Sequence, residues 1–238
     1  MRALLATLLV SCGGLGSGPR SSTQALSPPT ALPLTWVAIG DSTTADYSSQ
    51  FGGWPNEVQR AYPGHAVDNI AIPGSFVLDD GTGRPNLQAQ WLSVKREVAL
   101  GSMGVLFGGG FNDIHNTPDT GEDIFGRMQP LATDMISSGW LVAFVPPLPC
   151  GGICTEAEEG KRQVIRGLEQ QWASANGQLY LDADKSLANC GDVFSNGIQA
   201  LCVFARNGGT DCVHPSQGGE SVIGTFIADR LAAQELNQ

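Results

Sequence analysis

From Leu34 onward the chain alternates short apolar runs with longer amphipathic stretches, and this alternation constrains the fold more than any other feature. Leu34 to Ile39 is apolar apart from the β-favouring Thr35 and is closed by Gly40-Asp41, as expected of a strand buried on both faces. Trp54, Val58, Ala61 and Tyr62 follow at helical spacing around Pro55, a residue tolerated in a first turn. Val67 to Ile72 reads as a second strand, ended by Pro73-Gly74. Leu87, Trp91, Val94 and Val98 form a second helical stripe, and Gly104 to Phe107 a third strand. Ile124, Met128, Leu131 and Met135 make the next stripe before Leu141 to Val145, a fourth strand halted by Pro146-Pro147. Val164, Leu168 and Trp172 precede a short fifth strand, Leu179 to Leu181, and Val222, Ile223, Phe226, Ile227 and Leu231 mark a closing helix. Strands alternating with helices imply right-handed crossovers, and so an α/β fold: a three-layer α/β/α sandwich with a five-stranded parallel sheet. Ligands of such sheets bind beyond the carboxyl ends of the strands, so the informative residues should follow each strand.

The 238 residues suffice for one domain with a sizeable core. Lys and Arg total 13 against 23 Asp and Glu, and a formal charge of −10 with no basic stripe argues against a nucleic-acid partner.

The N-terminus reads Met1-Arg2, then the mostly apolar run Ala3 to Val10, then Ser11-Cys12, which is the pattern of an export signal. Such a run is too short for a permanent span, which needs about 20 residues. Leu9-Val10-Ser11-Cys12 resembles the lipobox of bacterial lipoproteins, in which cleavage precedes the cysteine and its thiol carries lipid. The expected organisation is therefore a signal peptide over 1–11, a Gly/Ser/Thr/Pro-rich tether over 12–33, and a single domain over 34–238. The expected location is a membrane-anchored lipoprotein or cell-surface protein, or else a secreted or periplasmic one, with Cys12 as its only membrane feature.

Six cysteines in an exported chain point to an oxidising compartment. Cys150-Gly-Gly-Ile-Cys154 lacks a second ligand pair nearby, so a disulfide explains it better than zinc. Cys212, at the end of the long irregular stretch from Leu187 to Thr210, is expected to pair with Cys202, or less favourably with Cys190, and so to clamp the neighbouring residues.

Chemistry-bearing residues cluster after the strands. Gly40-Asp41-Ser42-Thr43-Thr44 follows the first strand, where a serine hydroxyl can stand clear of the sheet beside free backbone N–H groups. Gly74 closes the second strand and lets backbone approach a ligand closely. Gly110-Phe111-Asn112-Asp113 follows the third, placing an amide at the same edge. Asp211-Cys212-Val213-His214 supplies a carboxylate and an imidazole three residues apart, as a serine nucleophile requires. Of the other histidines, His65 sits beside a Pro-Gly turn and reads as surface, and His115 reads as an exposed loop position. The adjacent acids Asp79-Asp80 and Glu158-Glu159 read as solvated positions rather than a glycosidase pair.

Taken in order, these segments resemble the four marker blocks of the SGNH, or GDSL, hydrolase superfamily, over about residues 34 to 236. The resemblance implies a flavodoxin-like fold. It makes Ser42 the nucleophile, His214 the base and Asp211 its partner, with the oxyanion held by the backbone N–H groups of Ser42 and Gly74 and the amide of Asn112. It implies no metal or organic cofactor. Thr43 replaces the Leu of the family name, a start similar to that of carbohydrate acetylesterases. The expected activity is hydrolysis of small acyl esters, O-acetyl groups on a carbohydrate foremost, with a small-molecule or polysaccharide ester as substrate. A lipase, lysophospholipase or thioesterase is the alternative among enzymes. A catalytically silent glycan-binding surface lipoprotein is the alternative from another class.

Overall fold

The structure, a computed structural model, describes residues 35–45, 53–79, 81–149, 154–184, 213–215 and 217–235. The element order is β1 (Thr35–Ile39), α1 (Gly53–Ala61), β2 (Ala66–Asn69), α2 (Leu87–Val94), β3 (Met103–Phe107), α3 (Phe111–Asn116), α4 (Gly121–Ser137), β4 (Leu141–Phe144), α5 (Glu156–Ala175), β5 (Leu179–Tyr180) and α6 (Gln217–Glu235). The five strands form one sheet in the order β2-β1-β3-β4-β5, and every neighbouring pair is parallel. The expected α/β architecture is the one observed.

Strand periodicity divides the core into two halves. Val37 and Ile39 of β1, Val105 and Phe107 of β3, and Val142 and Phe144 of β4 face one side, where α2, α4 and α5 contribute Leu87, Trp91, Ile124, Met128 and Ile165. Trp36, Ala38, Leu106 and Ala143 face the other and meet Trp54 and Val58 of α1 with Ile223 and Ile227 of α6. The three inner strands are almost wholly buried, so each reads as a continuous apolar run, whereas the edge strand β2 alternates exposed and half-buried residues. Helices α4 and α5 both begin with a reciprocal cap, Thr120 with Asp123 and Thr155 with Glu158, which satisfies backbone donors that the first turn leaves open. Among the described residues no helix is long and apolar enough to cross a membrane.

This strand order reverses direction between β1 and β3. A sheet of order 2-1-3-4-5 opens a crevice there, at the carboxyl ends of the two strands. The loop after β1 and the loop after β3 meet in that crevice: Gly108 donates its N–H to the carbonyl of Ile39 at 3.0 Å.

Three local readings need correction. The second strand ends at Asn69 rather than Ile72, although Ile70 and Ile72 still donate to the carbonyls of Ala38 and Gly40. The stripe through Val98 stops at Val94, because Val98 donates its N–H to Ser138 outside the helix. His65 is not a surface residue: it is only 4% exposed, its ring stacks on Tyr62 with centroids 4.0 Å apart, and its Nε2 lies 2.9 Å from Glu235 Oε1. The end of α6 covers it, and nothing near position 65 in the sequence announces a helix that distant.

Candidate active site

Asp41 organises the first loop. Its carbonyl accepts the N–H groups of Thr44 and Ala45, closing a tight turn directly after β1. Its fully buried carboxylate accepts the N–H and hydroxyl of Thr43 at 2.9 and 2.8 Å through Oδ1, and the N–H of Phe111 at 3.1 Å through Oδ2. Burial pushes this carboxyl above its ordinary range, opposed by the bonds from Thr43 and Phe111 and by the nearby His214.

The two loops touch closely. Thr44 projects between Gly40 and Gly108, and a Cβ at Gly108 would stand 2.6 Å from Thr44 Oγ1. Only glycine fits there while Thr44 is present.

Ser42, which leads out of this turn, is 9% exposed, and its Oγ lies 2.8 Å from Nε2 of His214. The two residues are 172 positions apart. The loop after β2 supplies Gly74 at φ +78°, with open space where a Cβ would stand. An L side chain is strained in that left-handed conformation, so the constraint at Gly74 comes from its backbone and not from crowding.

Asn112 lies in α3, a six-residue helix too short to show periodicity in the sequence. Its Nδ2 donates to the carbonyl of Ser75 at 3.0 Å, tying α3 to the loop after β2. Asp113 beside it is buried and accepts the N–H of Val77 at 3.0 Å through Oδ2, while Oδ1 accepts from Arg127 at 3.2 Å. Burial is the main reason that its carboxyl is pushed up to about 6, with the charge of Asp41 adding to the effect.

Sequence reasoning singled out Ser42, Gly74, Asn112 and His214 and passed over Asp41, Asp113 and Gln90, whose side chains tie the surrounding segments together. Gln90 carried a signal: it lies three residues after Leu87 and beside Trp91, on the buried stripe of α2, where a polar residue is out of place. The structure brings Ser42 and His214 together. Asp211 lies outside the described residues, as do Cys12, Cys150, Cys190, Cys202 and Cys212 and the segments assigned as leader and tether.

His115 is in α3, stacked on Phe111, with Nδ1 2.8 Å from Glu158 Oε1. Possible ligand atoms of His115, Cys154 and Glu158 lie within 4.8 Å of one another, the one such group among the described residues. Cys154 is disulfide-bonded, so its sulfur is no thiolate ligand in this state, and its partner lies outside the described residues.

A serine hydroxyl thus stands against an imidazole at the carboxyl edge of a parallel sheet, beside the Gly74 loop and the helix that carries Asn112, an arrangement able to support nucleophilic chemistry. Residues 38–222 match the model of the GDSL-like lipase/acylhydrolase family, and the chain belongs to that family. Membership implies ester hydrolysis.

Solved structures of the same fold include a member of the lipolytic protein G-D-S-L family from Veillonella parvula, at 14% identity and TM-score 0.63, covering 82% of this chain and 96% of that one. A lipase/acylhydrolase from Enterococcus faecalis is similar at 19% identity and TM-score 0.59, covering 84% and 96%. A catalytic mutant of an acetylxylan esterase from Geobacillus stearothermophilus is similar at 17% identity and TM-score 0.62, covering 84% and 95%. No curated protein matches the chain significantly.

Proposed function

We propose that this acylhydrolase is an exported serine esterase that removes small acyl groups, above all O-acetyl groups, from a carbohydrate. The observation that carries the serine mechanism is the 2.8 Å approach of Ser42 Oγ to His214 Nε2. In the proposed reaction His214 takes the hydroxyl proton as Ser42 attacks the ester carbonyl, and Asp211 steadies the resulting imidazolium. The tetrahedral oxyanion accepts from the N–H groups of Ser42 and Gly74 and from the Asn112 amide, which has two N–H donors and uses one on Ser75. The proton on His214 passes to the departing alcohol. A water molecule, deprotonated by the same imidazole, then attacks the acyl-serine; the imidazolium returns that proton to the departing Ser42 Oγ, and the acid is released. No metal or organic cofactor enters these steps.

The carbohydrate part of the proposal draws support from Thr43 after Ser42 and from the acetylxylan esterase among the proteins of like fold. Export draws on the N-terminal apolar run and on Cys12.

The test is labelling by a fluorophosphonate together with ester hydrolysis, comparing the wild type with a folded Ser42→Ala protein. Labelling should vanish and turnover should drop by several powers of ten. Persistent labelling of the variant would overturn the mechanism. Nitrophenyl esters of graded chain length and acetylated xylan then test the substrate class: a preference for long acyl chains would replace the acetylesterase reading with a lipase one.

A further inference from the structure

One side chain outside the proposed reaction reaches the two loops that frame its oxyanion donors. Gln90, 2% exposed, projects from α2 toward the backbone just beyond β1. Its Oε1 accepts the N–H of Gly40 at 2.9 Å, and its Nε2 donates to the carbonyl of the same residue at 2.8 Å. One planar amide thus pairs with both polar groups of one glycine, a two-point contact that fixes orientation as well as distance. The same Nε2 donates to Ser75 Oγ at 2.8 Å.

Ser75 is fully buried and itself bridges. Its hydroxyl donates to the carbonyl of Ile72 at 2.7 Å, and its carbonyl accepts from Asn112 Nδ2 at 3.0 Å. A continuous chain of bonds therefore runs from Gly40, two residues before Ser42, through Gln90 to Ser75, which adjoins Gly74, and on to Asn112. All three proposed oxyanion donors are tied to this chain. Gln90 is anchored in turn by Leu87 and Trp91, both wholly buried, so its reference frame is the packed core and not another loop.

We infer that Gln90 is a positioning residue that sets the spacing of the three oxyanion donors. The inference rests on the proposed serine mechanism. The side chain is well matched to the task. Glu offers no donor when ionised, Met offers neither strong donor nor acceptor, and Asn lacks the methylene needed for the reach. Displacement of donors by about 1 Å can cost on the order of 100-fold in rate, because the donors must meet the oxyanion and not the ground-state carbonyl.

The test uses 4-nitrophenyl acetate with the wild type, Gln90→Met, Ser75→Ala, Asn112→Ala and the double variant Gln90→Met/Asn112→Ala. Each is checked for folding by circular dichroism. Gln90→Met should lower kcat about 10- to 100-fold and leave KM within about threefold, because the loss falls on the transition state. Ser75→Ala, which removes only one hydroxyl, keeps the test available if Gln90→Met does not fold, and should lower kcat by about tenfold in the same manner. Asn112→Ala alone should cost about 10²–10³. The double variant should lose far less than the product of its parents, because Gln90 acts in part through Asn112.

Folded Gln90→Met and Ser75→Ala proteins with wild-type kcat would overturn the inference, as would fully multiplicative losses in the double variant. If the wild type itself hydrolyses no ester, the serine mechanism falls and this inference with it. A wild type that turns over while both variants match it removes the inference alone.

Discussion

The carboxylate of Asp41 accepts the backbone N–H of Phe111 at 3.1 Å, across 70 residues of sequence. This bond fixes the turn that carries Ser42 to the helix that carries Asn112, and it does so inside the sheet crevice, where water does not compete for it.

Replacing Asp41 by Asn should therefore harm both stability and rate. An amide keeps the shape but turns one of its two ends into a donor, facing either Thr43 or Phe111, both of which donate. The expected cost is about 1.5–3 kcal/mol in urea unfolding, with a fall in kcat. If midpoint and kcat both stay at wild-type values, the two loops are held together by something else.

Close packing of α6 on α1 gives a second prediction, in which the sign depends on space. A Cβ at Gly224 would stand 2.7 Å from the carbonyl oxygen of Trp54 and 3.0 Å from the N–H nitrogen of Val58, both backbone atoms. Gly224→Ala should destabilise the fold by about 1–3 kcal/mol through overpacking, which outweighs the helix-propensity gain of about 1 kcal/mol. Gly167 in α5 has nothing within 4 Å of such a Cβ, so Gly167→Ala should stabilise by about 0.5–1 kcal/mol. Thermal melts of the two variants should move in opposite directions.

Glu169 in α5 is fully buried, and among the described residues neither of its carboxylate oxygens has a hydrogen-bond partner. Burial holds this carboxyl well above its ordinary 4.5, with Arg166 only partly offsetting the effect. A group with a raised folded pKa binds more protons folded than unfolded. Its contribution to stability is therefore greatest in acid and declines as pH rises above about 4.5, by up to about 1.4 kcal/mol per unit, until the folded group ionises. Glu169→Gln removes that dependence. Relative to the wild type, the variant should gain stability as pH rises above about 5, over the range in which the folded Glu169 stays protonated. Parallel melting curves for the two proteins across that range would show that Glu169 does not titrate in this way.

Export and anchoring predict that the wild type, expressed in a bacterial host that lipidates exported proteins, partitions into the detergent phase on phase separation. Cys12→Ser should leave it soluble or uncleaved, because one lipid-bearing thiol is the proposed anchor. Partition of the wild type into water would remove the anchor.

Local patterns carried much of this molecule into its sequence. The strands β1, β3 and β4 were legible because both their faces are buried, which leaves an uninterrupted apolar run. Ser42, Gly74 and Asn112 were legible because they follow strands, where a parallel sheet exposes its loops. His214 was singled out by its spacing after Asp211, and the structure sets its ring against Ser42. What stayed hidden depends on distant partners. Gln90 matters through Gly40, 50 residues earlier, and Asp113 through Val77, 36 residues earlier. His65 was misread because α6, which covers it, arrives only near the end of the chain.

Thr44, seated between Gly40 and Gly108, makes three positions behave as one in any search of sequence space. Randomising them singly would show both glycines as fixed. Varying pairs would separate them. Removing the Thr44 hydroxyl by Thr44→Ala clears the only close obstacle to Gly108→Ala among the described residues, since the next atoms lie 3.6 and 3.7 Å away. Gly40→Ala gains no such rescue, because the Thr44 Cβ itself stands 2.5 Å from the new methyl. The route by which this loop can acquire bulk therefore runs through position 108, and only after position 44 has become smaller.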